Sequence, residues 1–192
     1  MSTSLVPAPP VRLDAPGRSL VLVAGLPGAG KSTLLARTAT SPDVAVLDSQ
    51  RHRAAAVASR LPYGVVRPFV HLAHRASVVG TSVGPTPCVV VHLPATRPGL
   101  RRAVRGLARL TGRDPHLLWV DAAPADALRG QHARGRTVRA DAFSRHVDDS
   151  AGLAERLRTG AESGAWTSVH VVDRADTAGG LQVDTTPVAV AK

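Results

Sequence analysis

Cysteine is almost missing from this sequence: Cys88 is the one example in 192 residues. An intrachain disulfide and a cysteine-based zinc cluster are thereby excluded, and a reducing, cytoplasmic setting is the plain expectation. Aromatic residues supply only 3% of the chain, as Tyr63, Phe69, Trp119, Phe143 and Trp166. So sparse a set offers no interleaved platform for stacking single-stranded bases. No apolar run approaches the roughly 20 residues that cross a bilayer, so no membrane partner is expected. The stretch Met1 to Pro16 lacks the basic-then-apolar order of a secretory signal. Lysine is also scarce, with Lys31 and Lys192 the two examples.

What the chain does contain is small and apolar. Hydrophobic residues make up 44%, mostly Ala, Val and Leu, enough for an ordered domain of ordinary size. The formal net charge is +10. Nearly all of it is arginine, and arginine with alanine reads as a composition bias and a generic basic surface. A dedicated polyanion site is the less favoured reading.

Apolar runs alternate with helical patterns. Residues 19–24 (SLVLVA), 44–47 (VAVL), 88–91 (CVVV), 117–120 (LLWV) and 169–172 (VHVV) read as strands apolar on both faces. Helices are predicted over 31–38, 49–60, from Pro68 onward, 97–110, 125–132 and 141–158. Breaks are predicted at 61–64 and 134–138. Residues 1–17, rich in Pro, Ser and Ala, read as a flexible lead-in. Residues 180–184 suggest an added edge strand. Such alternation predicts an α/β fold with a parallel sheet covered on both faces.

Residues 25–32 read GLPGAGKS, followed by Thr33. This is the Walker A pattern, GxxxxGK[ST]. Gly25, Gly28 and Gly30 let the backbone turn without Cβ clashes. The amide N–H groups of Leu26, Ala29 and their neighbours then surround a phosphate, with Pro27 a turn residue that donates nothing. The helix that follows points its positive end at the same charge. In this pattern Lys31 bridges the β- and γ-phosphates of ATP or GTP, and Ser32 ligates magnesium. In a chain so poor in lysine, a match by accident is improbable, and the flanking strand and helix agree with it.

The GLPGAGKST run, a strand ending in DSQRHR (48–53) and a later arginine-rich segment together resemble the small P-loop kinases. That group includes polynucleotide kinases, zeta toxins and gluconate kinase. The resemblance spans about residues 19–173. It is closest to bacterial AAA-family ATP-binding proteins with LDS at this strand end and ARGR later. It implies a P-loop NTPase fold, a three-layer α/β/α sandwich on a mostly parallel five-stranded sheet. The implied domain covers 18–175, with a C-terminal tail over 176–192. ATP and Mg2+ are the implied cofactors, with an acceptor substrate of unknown identity.

The resemblance also implies roles. A carboxylate at the second strand end accepts the acceptor's proton, with an arginine three residues on. Asp48 and Arg51 have that spacing, whereas a second alignment places Gln50 and Arg53 there. Asp48 is equally read as a helix N-cap, with Ser49 its rival. The third strand should end in a magnesium-orienting carboxylate but offers His92, a poor magnesium ligand. Either Asp48 supplies that carboxylate beside Ser32, or turnover is weak, or His92 meets a substrate phosphate. Arg134 and Arg136 fall where such kinases carry a lid over the γ-phosphate, with Gly135 giving freedom and Arg129 upstream. Arg174 falls where related folds hold adenine, positioned to stack on it.

Other signals weigh less. His71 and His74 share a helical face without completing a metal set, and with Arg67 and Arg75 they are candidates to line an acceptor pocket. Arg97, Arg101, Arg105 and Arg109 form a stripe, with Arg102 and Arg113 near it, read first as a solvated face and second as a nucleic-acid track. Three functions therefore stand: a phosphotransferase using Lys31, Asp48, Arg134 and Arg136; a switch or weak ATPase, favoured by His92 and Gln50; and a polynucleotide 5′-hydroxyl kinase-like protein.

Overall fold

The computed structural model describes residues 8–39, 41–48, 63–135, 138–162 and 164–186, with backbone alone over 63–71. The predicted helix over 49–60, with Ser49, Gln50, Arg51 and Arg53, lies outside the described residues, as does Arg136.

Five parallel strands make the central sheet. In chain order they are β2 (Ser19–Gly25), β3 (Val44–Leu47), β4 (Cys88–His92), β5 (Asp114–Asp121) and β6 (Ser168–Asp173). In space the order is β3-β4-β2-β5-β6. The alignment is regular: Ser19 stands opposite both Cys88 and Asp114, and Gly25 opposite Val120. β2 is buried at every position, whereas the outer strands β3 and β6 are half-buried. The unbroken apolar runs of the sequence thus follow from a sheet covered on both sides.

Strand alternation divides the core in two. Val21, Val23, Val90, Leu118 and Val120 face one layer with Leu34, Ala127 and Phe143. Leu20, Leu22, Val89, Leu117 and Trp119 face the other with Val78, Val104, Leu153 and Trp166. The first layer holds α1 (Lys31–Ala36), α4 (Pro124–His132) and α5 (Ala140–Ser150). The second holds α2 (Tyr63–Val83), α3 (Pro98–Leu110) and α6 (Leu153–Arg158). This is the α/β P-loop NTPase fold. No helix among the described residues is long and apolar enough to cross a membrane.

Several sequence expectations are corrected. The lead-in contains a strand, β1 (Val11–Asp14), paired in parallel with β7 (Leu181–Asp184). These two form a separate small sheet, so residues 181–184 do not extend the main one. The reason is burial: Leu13 and Leu181 both pack into the first core layer. The break expected at 61–64 ends earlier, because α2 already includes Tyr63 and Gly64, five residues before Pro68. Pro68, the sixth residue of α2, has no N–H to donate to the carbonyl four residues back. The helix expected over 141–158 is two helices, parted at Gly152, whose φ of 64° starts α6 in the left-handed region.

The arginine stripe is a solvated face only in part: Arg97, Arg102 and Arg109 are exposed, whereas Arg101 and Arg113 lie inward. Arg101 is 4% exposed and donates to the carbonyls of Ala95 (2.9 Å) and Thr96 (2.6 Å) and to Glu162. Arg105 lies over the Trp166 ring, 5.5 Å from its centroid, and Arg97 pairs with Asp149 at 2.9 Å. Arg113 is buried and donates to the carbonyls of Ser82 (2.7 Å), Pro87 (2.8 Å), Gly84 (3.0 Å) and Thr86 (2.9 Å). Arginine's long apolar stem lets it lie inward while its fork satisfies carbonyls. At Arg101 and Arg113, charge that reads as part of a surface track is directed inward.

Candidate functional site

The carboxyl ends of β2, β3 and β4 converge, and there the sequence places its reactive groups. β2 delivers Gly25 directly into the loop, whose N–H is held by the Pro94 carbonyl at 3.0 Å. The loop closes with Ala29 N–H donating to the Leu26 carbonyl at 3.0 Å. At Gly28, φ is 93°, and an added Cβ would collide with the Ala127 carbonyl. At Gly30, φ is 112°, and the same atom would sit 2.8 Å from Thr177 Oγ1. Only glycine allows this curl against α4 and the segment after β6.

Lys31 opens α1 yet is 4% exposed. Its ammonium donates to the carbonyls of Gly25 (2.9 Å) and Leu26 (2.7 Å). Burial first, and then the Arg134 guanidinium, lower its pKa from 10.5 to about 7, while Asp48 acts in the opposite sense. Ser32 and Thr33 follow on the same turn, and Arg134 donates to Thr33 Oγ1 at 3.2 Å.

Asp48 stands immediately beyond β3 and meets His92, the last residue of β4, at 2.8 Å between Nδ1 and Oδ1. A carboxylate can only accept, so the imidazole proton is assigned to Nδ1. Burial lowers the His92 pKa; the bond to Asp48 opposes that, and Lys31 and Arg134 add to it. His92 is therefore a neutral donor at pH 7. Lys31, Asp48, His92 and Arg134 thus act on one another as a single electrostatic cluster. The sequence presents His92 as a departure from pattern; its contact with Asp48, 44 positions away, had no signal in the sequence.

A hydroxyl from Ser32 and a carboxylate from Asp48 are hard oxygen donors, which fit Mg2+. Among the described residues no group of three His, Cys, Asp or Glu side chains could hold a metal ion unaided. Mg2+ takes one or two protein ligands and completes its shell with phosphates and water.

Two arginines have other attachments. Arg129, on α4, pairs with Asp126 three residues earlier on an exposed surface. Arg174 begins the single-turn 3-10 segment Arg174–Gly179, and its guanidinium donates to the Gly28 carbonyl. That contact braces the 25–32 loop. An open cleft of about 480 Å³ lies beside it, lined by Gly30, Thr33, Asp126, Arg174 and Thr177.

Gln131 is a residue the sequence gave no reason to single out. It is 3% exposed, donates through Nε2 to the Pro27 carbonyl at 3.0 Å, and accepts through Oε1 from Val138 N–H at 2.7 Å. One amide thus ties the phosphate loop to the far end of the arginine-bearing segment, across residues 134–138. Gln131→Ala orphans both backbone groups at a cost of about 1–3 kcal/mol. A lower melting temperature and several-fold weaker nucleotide binding are expected, checked by thermal unfolding and calorimetry. Unchanged values for both would remove this role.

A parallel sheet, a glycine-built phosphate loop and a buried lysine at the first helix define the kinase-like P-loop class. The AAA domain family matches residues 20–157, well over half the sequence, and the chain belongs to it. No curated protein matches the sequence. A solved structure from the PezAT chromosomal toxin-antitoxin system of Streptococcus pneumoniae is similar, with a TM-score of 0.56, 13% identity, and 85% of this chain and 70% of that one covered. The Deinococcus radiodurans tunicamycin resistance protein gives 0.48, 14%, 84% and 91% in the same order. A gluconokinase from Sinorhizobium meliloti 1021 gives 0.46, 13%, 85% and 92%. At these identities the likeness is one of fold.

Proposed function

We propose that this chain binds ATP with magnesium on residues 25–32 and transfers the γ-phosphoryl group to a hydroxyl acceptor. One observation carries the reading: a buried ammonium, a carboxylate held by its own imidazole donor, and a loop arginine act on one another beside a glycine-built anion cradle.

Lys31 exchanges the carbonyls of Gly25 and Leu26 for phosphate oxygens, and regains full charge in doing so. Arg134, with Arg136, spreads the charge that builds on the transferring group. Asp48 takes the acceptor's hydroxyl proton. The acceptor oxygen bonds to the γ-phosphorus as the bond from that phosphorus to the bridging oxygen breaks, and ADP leaves. His92 holds the Asp48 carboxylate in one orientation throughout. Magnesium, where held by Ser32 and Asp48, supplies neutralisation of phosphate charge. The Arg129–Asp126 pair and Arg174 frame the opposite side of the loop, where the base and sugar of the nucleotide lie.

Labelled ATP incubated with a panel of hydroxyl metabolites and resolved by thin-layer chromatography tests this. Magnesium-dependent transfer to one acceptor supports it. Slow phosphate release alone favours a second reading, an ATP-hydrolysing switch, for which the imidazole in place of a second carboxylate at the end of β4 speaks. Neither transfer nor release would remove catalysis altogether. A polynucleotide acceptor is the weakest reading, because Arg101 and Arg113 are buried and held by backbone carbonyls, which breaks the stripe as a continuous track.

A further inference from the structure

A second cleft, of about 510 Å³, lies at the segment that follows β4. Its floor is the loop joining β4 to α3, and its walls come from α2 and α5. Arg75, Thr96, Arg97, His146 and Asp149 supply its polar lining.

The floor is a built structure. Ala95 has φ of 47°, the one non-glycine residue in the left-handed region among the described residues. Such a conformation costs on the order of 1 kcal/mol or more and persists only where neighbours enforce it, most often at ligand sites. The enforcement is visible. Arg101, 4% exposed, donates to the carbonyls on either side of the Ala95–Thr96 peptide link, and Glu162 pairs with Arg101 from behind. The preceding carbonyl, of Pro94, accepts from Gly25 N–H at 3.0 Å. The cleft floor and the first residue of the phosphate loop are therefore joined by one hydrogen bond.

The lining carries excess positive charge. Asp149 is occupied by Arg97 at 2.9 Å. Arg75 has no ion-pair partner among the described residues, and it lies exposed at the rim. His146 is half-buried, with Nδ1 bonded to Thr96 Oγ1 at 2.8 Å. Burial, then Arg97, Lys31 and Arg145, hold its pKa down against the pull of Asp149. That Lys31 is felt at His146 places this cleft within electrostatic range of the phosphate lysine. Arg75 and Arg97 both line this pocket, and a guanidinium fork suits a planar or tetrahedral oxyanion.

We infer that this cleft seats the phosphoryl acceptor, a hydroxyl compound that also bears an oxyanion, with the phosphate or carboxylate held by Arg75 and Arg97. The inference rests on the phosphotransfer reading above and names its substrate class. Thr96 and His146 fix the cleft wall. The strained loop at Ala95 keeps it in register with the nucleotide side.

Two arms test it and keep its failure apart from that of the phosphotransfer reading. In the first, sodium phosphate and sodium acetate are titrated into the Lys31→Met variant, whose phosphate loop is disabled, while the His146 ring resonances are followed by NMR. Sodium chloride at equal ionic strength is the control, and His146→Gln assigns the signals. A saturable shift at millimolar phosphate or acetate, weakened at least tenfold in Arg75→Gln/Arg97→Gln, is expected, and the anion that saturates first identifies the group. A shift matched by chloride, or one indifferent to the double substitution, overturns the anion site. In the second arm, pairs of acceptors differing only by a phosphate or carboxylate are compared with labelled ATP and the unaltered protein. The charged member is expected to have at least tenfold higher kcat/KM, and the double substitution to raise its KM tenfold with kcat within threefold. Preference for the neutral member overturns the inference. Saturable anion binding with no transfer to any acceptor removes the phosphotransfer reading and the acceptor role with it.

Discussion

Replacing Lys31 with methionine yields a protein that no longer binds ATP and yet melts at a higher temperature. The two effects have one cause. The ammonium is buried, satisfied by only two carbonyls, and its pKa falls to about 7 from 10.5 through burial and the nearby Arg134. The unfolded chain keeps that proton up to about pH 10.5, whereas the folded chain releases it above about pH 7. Burying the charge therefore destabilises the ligand-free fold fully below pH 7, and the penalty fades as pH rises from 7 towards 10.5. A penalty of several kcal/mol is offset in part by two hydrogen bonds, each worth roughly 1 kcal/mol. A net gain of about 2 kcal/mol on substitution corresponds to some 4–8 °C for a domain of this length, on the order given by the usual entropy of unfolding.

Scanning calorimetry at pH 7 and pH 10 checks the stability half: the variant melts higher at the lower pH, and the gap narrows at the higher. Titration calorimetry checks the binding half, with ATP–magnesium affinity falling at least 100-fold, since the one side chain that spans two phosphates is gone. The unaltered protein adds a third readout. Above pH 7 its Lys31 is largely neutral, so nucleotide binding draws in a proton, approaching one per ATP at about pH 8. The heat of binding then depends on the ionisation enthalpy of the buffer. Undiminished ATP binding by the variant, or a lower melting temperature at pH 7, would refute this account of the loop.

Such coupling between burial and binding was only half legible in the sequence. The GLPGAGKS spacing specifies a loop, a lysine and a following helix within one short stretch, because each glycine there answers a local backbone need. The strands were legible for a similar reason: a run apolar on both faces can be satisfied only inside a covered parallel sheet. What stayed illegible were contacts between elements. Nothing in residues 44–53 announces that Asp48 meets His92, and nothing in α4 marks Gln131 as the tie between two loops. Charge misled most. Arg101 and Arg113 read as surface because arginine usually is, yet both lie inward and hold carbonyls. The lead-in misled by composition: prolines and serines around Val11–Asp14 hid a strand whose partner, Leu181–Asp184, lies at the other end of the chain.

Asp48→Asn separates the roles that the sequence left open for this carboxylate. Asparagine keeps the size and can still accept from His92 Nδ1, so the contact at the β3 and β4 ends survives. What it loses is the negative charge and the capacity to take a proton. If Asp48 is the base, kcat falls by roughly 10²–10⁴-fold, ATP–magnesium affinity stays within about tenfold, and the acidic limb of the kcat profile disappears. If it chiefly holds magnesium, the magnesium concentration for half-maximal turnover rises instead and recovers at high metal. If it is only a helix cap, stability changes by about 1 kcal/mol or less, because asparagine caps as well as aspartate, and turnover stays within threefold. Asp48 also supplies negative charge that acts on Lys31 and His92. Its loss should also depress the Lys31 pKa further, so the variant's ATP binding weakens at lower pH than in the unaltered protein. Turnover within threefold at saturating magnesium would leave Asp48 without a chemical role and hand the site to the switch reading.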